Sequence, residues 1–318
     1  MRVLVTGGAG FIGSHLIDKL LLDAQEITTI DNETSGNLRN LSHSLEHINY
    51  VRGDIRDNAL MENLIEQTDQ VFHMAAALGV HTILNSTIES ISTNFYGSEV
   101  VLKAASKFRV PIVIASTSEI YGKNTKQPLA EEDDRVIGAP QKLRWSYSDA
   151  KALEESLASA LHLNENLPVT TIRYFNTVGP RQSAHYGMVL PRLVQNALEG
   201  KALPVHGDGT QTRVFCHVND AVLATVKLAQ TVSSIGEVFN VGGLEEISIT
   251  ELAKLIIKLT NSTSQIEFLP YSQAYGYGFE DMQRRVPDIS KVKSHVQWQP
   301  LVNLNQIILD VAKHLAQN

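Results

Sequence analysis

One cysteine, Cys216, stands among 318 residues, so no intrachain disulfide can form and a reducing compartment suits the chain. Long apolar runs are missing as well: none approaches the ~20 residues that a membrane-spanning helix needs, and no membrane partner is expected. Basic charge is in deficit, with 27 Lys and Arg against 34 Asp and Glu and a formal net charge of -7. Polyanion binding calls for a clustered basic face, so no nucleic-acid partner is expected. No charged segment, apolar stretch and cleavage site precede the first strand; a cytoplasmic location is the expectation. The acidic run Glu131-Glu132-Asp133-Asp134 lacks a second ligand cluster and reads as a solvated loop, so no metal site is expected. Internal repeats and low-complexity tracts are absent.

What the chain has is 43% apolar content, enough to bury a large core, arranged as short apolar runs alternating with helix-length amphipathic stretches. Val3 to Val5, Ile27 to Ile30, Val71 to His73, Ile112 to Ala115 and Val169 to Arg173 read as strands, and 11 to 22, 58 to 67, 85 to 108 and 147 to 165 as helices. Such alternation predicts a Rossmann-type α/β fold, a doubly wound parallel sheet with helices on both faces. Pro111 and Pro168 mark the entry into two strands. Beyond about residue 177 the pattern loosens around Gly179-Pro180, Gly207-Asp208-Gly209 and the stretch from Tyr271 to Phe279, which predicts a smaller C-terminal lobe.

The first apolar run leads into Gly7-Gly8-Ala9-Gly10-Phe11-Ile12-Gly13. A glycine triplet alone is a weak signal. Between a first strand and a first helix, it lets a pyrophosphate approach the helix N-terminus, where open amides and the dipole favour an anion. The second strand ends in Asp31-Asn32, where an acid accepts hydrogen bonds from ribose hydroxyls and repels a 2'-phosphate; the expected cofactor is therefore NAD. Asp54-Ile55 and Met74-Ala75-Ala76, at the ends of the next strands, are candidates for adenine and backbone contacts, or else a capping acid and tight helix packing.

Tyr147 and Lys151 stand four apart on one face of a predicted helix. An ammonium there stabilises phenolate and makes the tyrosine a base at neutral pH. Ser116-Thr117-Ser118-Glu119, at the end of the Ile112 strand, brings hydroxyls and a carboxylate to the edge where open α/β sheets bind ligands; capping of a turn is the bland alternative.

These motifs, with Arg173-Tyr174-Phe175-Asn176-Thr177-Val178-Gly179-Pro180-Arg181 and the closing Trp298-Gln299-Pro300, resemble over nearly the whole length the extended short-chain dehydrogenase/reductases of the NAD-dependent epimerase/dehydratase family. Within it the chain is similar to UDP-glucuronate decarboxylases and nearly as similar to UDP-hexose 4-epimerases. The resemblance implies an enzyme that oxidises a sugar at C4, with Tyr147 taking the proton. From the transient 4-keto sugar, loss of carbon dioxide gives UDP-xylose or a UDP-4-keto-pentose, whereas return of hydride to the other face gives epimerisation, either UDP-glucose/galactose or UDP-glucuronate/galacturonate. Ser118-Glu119, the segment Phe279 to Ile289 with its arginine Arg285, and Arg144-Trp145-Ser146-Tyr147 favour the decarboxylase. A sugar-nucleotide dehydratase ranks third, and a non-catalytic NAD-binding regulator is the alternative from another class.

By the same resemblance Tyr147, Lys151, Ser118, Glu119, Thr117 and Arg285 are the expected catalytic residues. Gly7, Gly10, Phe11, Ile12, Gly13, Asp31, Asn32, Ser35 and Gly36 would hold NAD. Asp54, Ile55, Met74, Ala75, Ala76, Asn94, Ser116 and Tyr174 would complete its site together with Tyr147 and Lys151. Asn176, Arg181, Val189, Arg192, Val205, Arg213, Phe279 and Arg285 would line the UDP-sugar site. Residues 1–176 are then the NAD-binding domain, to which about 217–242 return, and 177–318 mainly the nucleotide-sugar lobe. A homodimer through the helices near 85 to 108 and 147 to 165 is implied as well.

Overall fold

The computed structural model describes residues 1–23, 25–77, 79, 86–184, 188–271, 273, 280 and 282–317. Its centre is a parallel sheet built from β1 (Arg2–Thr6), β2 (Glu26–Asp31), β3 (Ile48–Arg52), β4 (Gln70–His73), β5 (Ile112–Thr117), β6 (Val169–Tyr174) and β11 (Val238–Val241). The order is β11-β6-β5-β4-β1-β2-β3, so the chain reverses direction across the sheet between β1 and β4. That reversal opens a crevice at the strands' C-terminal ends.

The strand period of two distributes the apolar residues to both faces. Val3 and Val5 pack with Leu16, Ile17 and Leu20 of the helix Phe11–Leu22 and with Val222 and Val226 of the helix Val218–Ala229. Leu4 points the other way, into a second core with Met61, Val101, Leu102 and Leu161. Those residues come from the helices Asn58–Glu66, Ser98–Phe108 and Ser146–Glu165. The five expected strands and the helices near 11, 58 and 147 are all present, with bounds moved by at most two residues.

Two sheet strands carry no clear signal in the sequence. β3 is an edge strand, only half-buried and interrupted by polar residues. In β11 the buried Asn240 breaks the apolar run, because its amide serves Tyr121 Oη (2.8 Å) and the Leu129 carbonyl (2.9 Å). The helix expected over 85 to 108 is also corrected. Among the described residues it runs Thr87–Ile91, widens into a π-turn over Ser92–Gly97, and resumes as Ser98–Phe108.

The second lobe carries the short strands β7 (Thr177–Val178), β8 (Leu203–His206), β9 (Thr212–Val214), β10 (Cys216–His217), β12 (Glu246–Ser248), β13 (Ile266–Leu269) and β14 (Arg284–Arg285). The helices Val189–Leu198, Ile249–Thr260 and Leu304–Ala316 pack around a core of their own that includes Leu193, Leu252 and Ile308. No described helix is long and apolar enough to cross a membrane.

The C-terminal stretch is pinned by Asp220, in the first turn of the helix Val218–Ala229. Its Oδ2 accepts from the amides of Leu301 and Val302, both at 2.9 Å, while its carbonyl accepts from Trp298 Nε1 at 2.9 Å. Removing that carboxylate strands two backbone amides. Asp220→Ala is expected to cost about 3 kcal/mol, read as a lowered urea midpoint, with less loss in Asp220→Asn.

Candidate active site

The crevice above β1 and β4 is a cleft of about 510 Å³ shared by the sheet and the second lobe. Gly7, Gly10, Phe11, Ile12 and Gly13 line it at the sheet's end. Gly7 takes a φ of 73°, and a Cβ there would lie 2.7 Å from the Ala75 Cα; at Gly13 a Cβ would lie 2.2 Å from the Gly7 carbonyl oxygen. The turn therefore closes only without side chains. The helix Phe11–Leu22 starts at Gly10 with no side-chain cap, so its first amides stay available to an anion.

Asp31, at the end of β2, is buried and faces the same cleft. Its carboxylate accepts from the amides of Ala9 (3.0 Å) and Glu33 (2.7 Å), which fixes its orientation. Burial raises its pKa, against the pull of those amides. Asn32, Ser35 and Ile55 also line the cleft. Gly36 does not, but a Cβ on it would press on the Asp31 carboxylate at 2.9 Å. Asp54 is not among the residues that line the cleft. Arg56 and Asn32 hold its carboxylate, and the hydrogen bond from Arg56 brings its pKa down to about 2.

Met74, Ala75 and Ala76 face the cleft after β4. Asn94 stands behind them in the π-turn, its amide bonded to both the Ala77 N–H and the Ala77 carbonyl at 2.8 Å. It shapes the loop instead of lining the cleft, and the π-turn is what aims it there.

At the end of β5 the cleft meets Ser116, Thr117, Ser118, Glu119 and Tyr147. Thr117 caps the short turn Ser118–Tyr121 and hydrogen-bonds the Tyr147 side chain. Ser116 Oγ donates to the buried Glu155, which also pairs with Arg173 (2.8 Å). Burial pushes the Tyr147 phenol well above its ordinary range, and the Glu119 and Glu154 carboxylates push it further.

Lys151 departs from the expected arrangement. It does not line the cleft; its ammonium donates to the Ala115 carbonyl (2.8 Å) and to Glu154 Oε2 (2.7 Å). The helical spacing puts Lys151 on the face of Tyr147, yet a buried acid neutralises the charge expected to lower the phenol's pKa.

Glu119 is the charged centre of the cleft floor. Arg285 Nη1 meets one carboxylate oxygen at 2.6 Å and Arg144 Nη1 the other at 2.5 Å. Burial alone would raise the carboxyl's pKa; the two guanidiniums overrule it and hold it at about 2. Arg285 Nη2 also donates to Asn176 Oδ1 (2.5 Å), and Asn176 Nδ2 donates to the Val214 carbonyl. Arg144 is a site residue beyond those expected from the sequence; its place in Arg144-Trp145-Ser146-Tyr147, three residues ahead of the helix-borne Tyr147, is the signal that points to it.

In the second lobe Arg181, Val189, Arg192 and Arg213 line the cleft, as does Tyr174, whose hydroxyl is tied to Thr225 at 2.6 Å. Arg181 is paired with Asp18 at 2.8 Å. Val205 is a correction: strand alternation turns it into the lobe core, fully buried, while its neighbours Pro204 and His206 face the cleft. Phe279 lies outside the described residues.

Residues 4–311 match the protein family described as GDP-mannose 4,6 dehydratase. The chain is 44% identical over 306 residues to the UDP-N-acetyl-alpha-D-glucosaminuronate decarboxylase of Bacillus cytotoxicus, covering 96% of this chain and 94% of the relative. It is 37% identical to UDP-glucuronic acid decarboxylase 1 of Danio rerio, covering 96% of this chain and 70% of that one. Among solved structures it resembles the UDP-glucuronic acid 4-epimerase of Bacillus cereus in complex with UDP-glucuronic acid and NAD. The TM-score is 0.89 at 30% identity, over 100% of this chain and 99% of that one.

Replacing Glu119 by Gln leaves Arg144 and Arg285 without their shared counter-charge, and about 3 kcal/mol of stability should be lost at pH 7 in urea unfolding. Because the folded pKa lies below the ordinary 4.5, the ionised carboxylate's contribution is complete above that value and disappears as pH falls toward 2. Wild type and variant should therefore converge in stability over that window.

Proposed function

The chain belongs to the NAD-dependent epimerase/dehydratase family, and from that premise we propose that it decarboxylates a UDP-hexuronate through a transient 4-keto sugar. The observation that carries this reading is the cleft floor, where Arg144 and Arg285 already hold one carboxylate, that of Glu119, beside Tyr147. Planar guanidinium donors suit a carboxylate, so the same pair can receive the C6 carboxylate of a uronate when Glu119 turns aside.

The glycine turn, the uncapped helix start and the buried Asp31 carboxylate fit NAD, whose chemistry when bound is to accept hydride from the sugar C4 and give it back. Tyr147 takes the C4 hydroxyl proton, and Thr117 bridges the hydroxyl and the phenol. Arg285 and Arg144 orient the carboxylate, which is β to the new ketone. The bond between C5 and C6 breaks, carbon dioxide leaves, and the electron pair spreads into the C4 enolate. C5 then takes up a proton from solvent, led to it by Arg285 and by Glu119 once that carboxylate has turned off the two arginines. Arg181, Arg192, Arg213 and Asn176 serve the diphosphate end of the cleft.

The relative at 44% identity is named for the 2-acetamido uronate and the relative at 37% for glucuronate. The two substrates share the C4 hydroxyl and C6 carboxylate and differ at C2, so both belong to this reading. A second reading, UDP-uronate 4-epimerase, draws on the 30% identical epimerase structure. The two separate on carbon dioxide.

Purified protein supplied with NAD would be incubated with UDP-glucuronate, UDP-N-acetylglucosaminuronate and UDP-glucose, and followed by proton NMR with carbon dioxide measured. A pentose product with gas release from one of the uronates is expected, and C4-inverted hexose without gas overturns the proposal. In the same assay Tyr147→Phe should keep NAD binding and lose turnover by about 10²-fold or more.

We also propose a homodimer. Ile88, Ile91, Tyr96 and Leu153 expose apolar surface on the helical segment 87–97 and the neighbouring helix Ser146–Glu165. A second copy of this face would bury it as a helix bundle. Sedimentation should give a dimer, and Leu153→Asp a monomer.

A further inference from the structure

The helix Ser146–Glu165 carries a third ionisable residue on the face of Tyr147 and Lys151. Glu154 follows Lys151 by three residues and Tyr147 by seven, so the three align. Lys151 and Glu154 are each only 1% exposed and meet at 2.7 Å. With the Ala115 carbonyl, Glu154 ties the ammonium down beside β5.

The groups around Glu154 leave Lys151 as its principal counter-charge. From β4, His73 places Nε2 at 3.9 Å from Glu154 Oε1, but that ring is engaged by Thr6 Oγ1 (2.7 Å) and Ser98 Oγ (2.9 Å). Burial, reinforced by Lys151, lowers the His73 pKa to about 3, so the imidazole is neutral at working pH. From the helix Ser98–Phe108 comes only the Ser98 hydroxyl. Glu155, next in sequence, faces the other way, toward Ser116 and Arg173. Burial raises the Glu154 pKa, and the Lys151 ammonium opposes that rise.

We propose that Glu154 is a positioning residue of the proton-transfer apparatus: it anchors the Lys151 ammonium beside β5 and withholds that charge from Tyr147. The inference rests on Tyr147 being the group that accepts the substrate proton. A carboxylate at 154 opposes the phenolate directly and also cancels the cation meant to favour it. Taking its charge away should act twice in the same direction and make Tyr147 easier to ionise.

Glu154→Gln keeps the shape and removes the charge. In NAD-loaded enzyme the acidic limb of the pH dependence of kcat should move to lower pH by about one unit. Independently of turnover, the Tyr147 ¹³Cζ resonance, assigned by its loss in Tyr147→Phe, should titrate at correspondingly lower pH. A purely structural Glu154 would lower the melting temperature and leave both midpoints in place; that result overturns the proposal, as does loss of turnover at every pH with the resonance unmoved. Should the Gln variant fail to fold, Glu154→Asp, which retracts the charge, should shift both midpoints in the same direction by less, and an unmoved midpoint there is equally fatal. If Tyr147→Phe keeps full turnover, it is the role of Tyr147 that fails, and the two failures are thus distinct.

Discussion

Glu119 meets two guanidiniums drawn from distant parts of the chain, Arg144 just ahead of the helix Ser146–Glu165 and Arg285 from β14. Charges so little exposed are tolerable only in each other's company, since losing one partner leaves the others uncompensated. That requirement fixes how the second lobe sits on the sheet. β14 pairs with β9, Arg285 reaches across to Asn176 and Glu119, and the cleft floor is set in the same stroke. Beside it, Arg173 of β6 joins Glu155, the Tyr121 hydroxyl and the Glu131 carbonyl, so the ends of β5 and β6 are tied into one ionic layer.

The position of that layer explains why the same edge of the sheet can serve two ligands. Over β1 and β2 the cleft offers open amides and a carboxylate with its oxygens already oriented, while on the other side of β4 the strand β5 ends in hydroxyls and a clamped acid. A cofactor and a sugar laid along this edge would meet where Thr117 and Tyr147 stand.

Much of this was legible from local pattern. Val3 to Val5 before a glycine turn, Asp31 at the end of the second strand and the Tyr147/Lys151 spacing each depend on neighbours in sequence, and each fell on the element expected of it. What escaped depends on partners far away. β11 is hidden by Asn240, a polar residue whose amide is satisfied by Tyr121 and Leu129 more than a hundred positions earlier. The π-turn that aims Asn94 at Ala77 inserts its extra residue into an otherwise ordinary helical period. Val205 is implied by the resemblance alone; strand alternation in β8 turns it into the lobe core and gives the cleft to Pro204 and His206. By sequence Glu154 is one acid in an amphipathic helix; only the fold shows that it is sealed in with Lys151.

Cys216 sits in the two-residue strand beside β7, fully buried, and burial raises its thiol pKa far from the range in which thiolate forms. A sulfur kept protonated and out of reach is a poor nucleophile. The natural chain is thus already a silent background for thiol chemistry. Two cysteines introduced one on each rim of the cleft would be the only sites to take a maleimide dye or spin label, and the distance between the lobes could be followed through a catalytic cycle without first stripping the protein of its own sulfur.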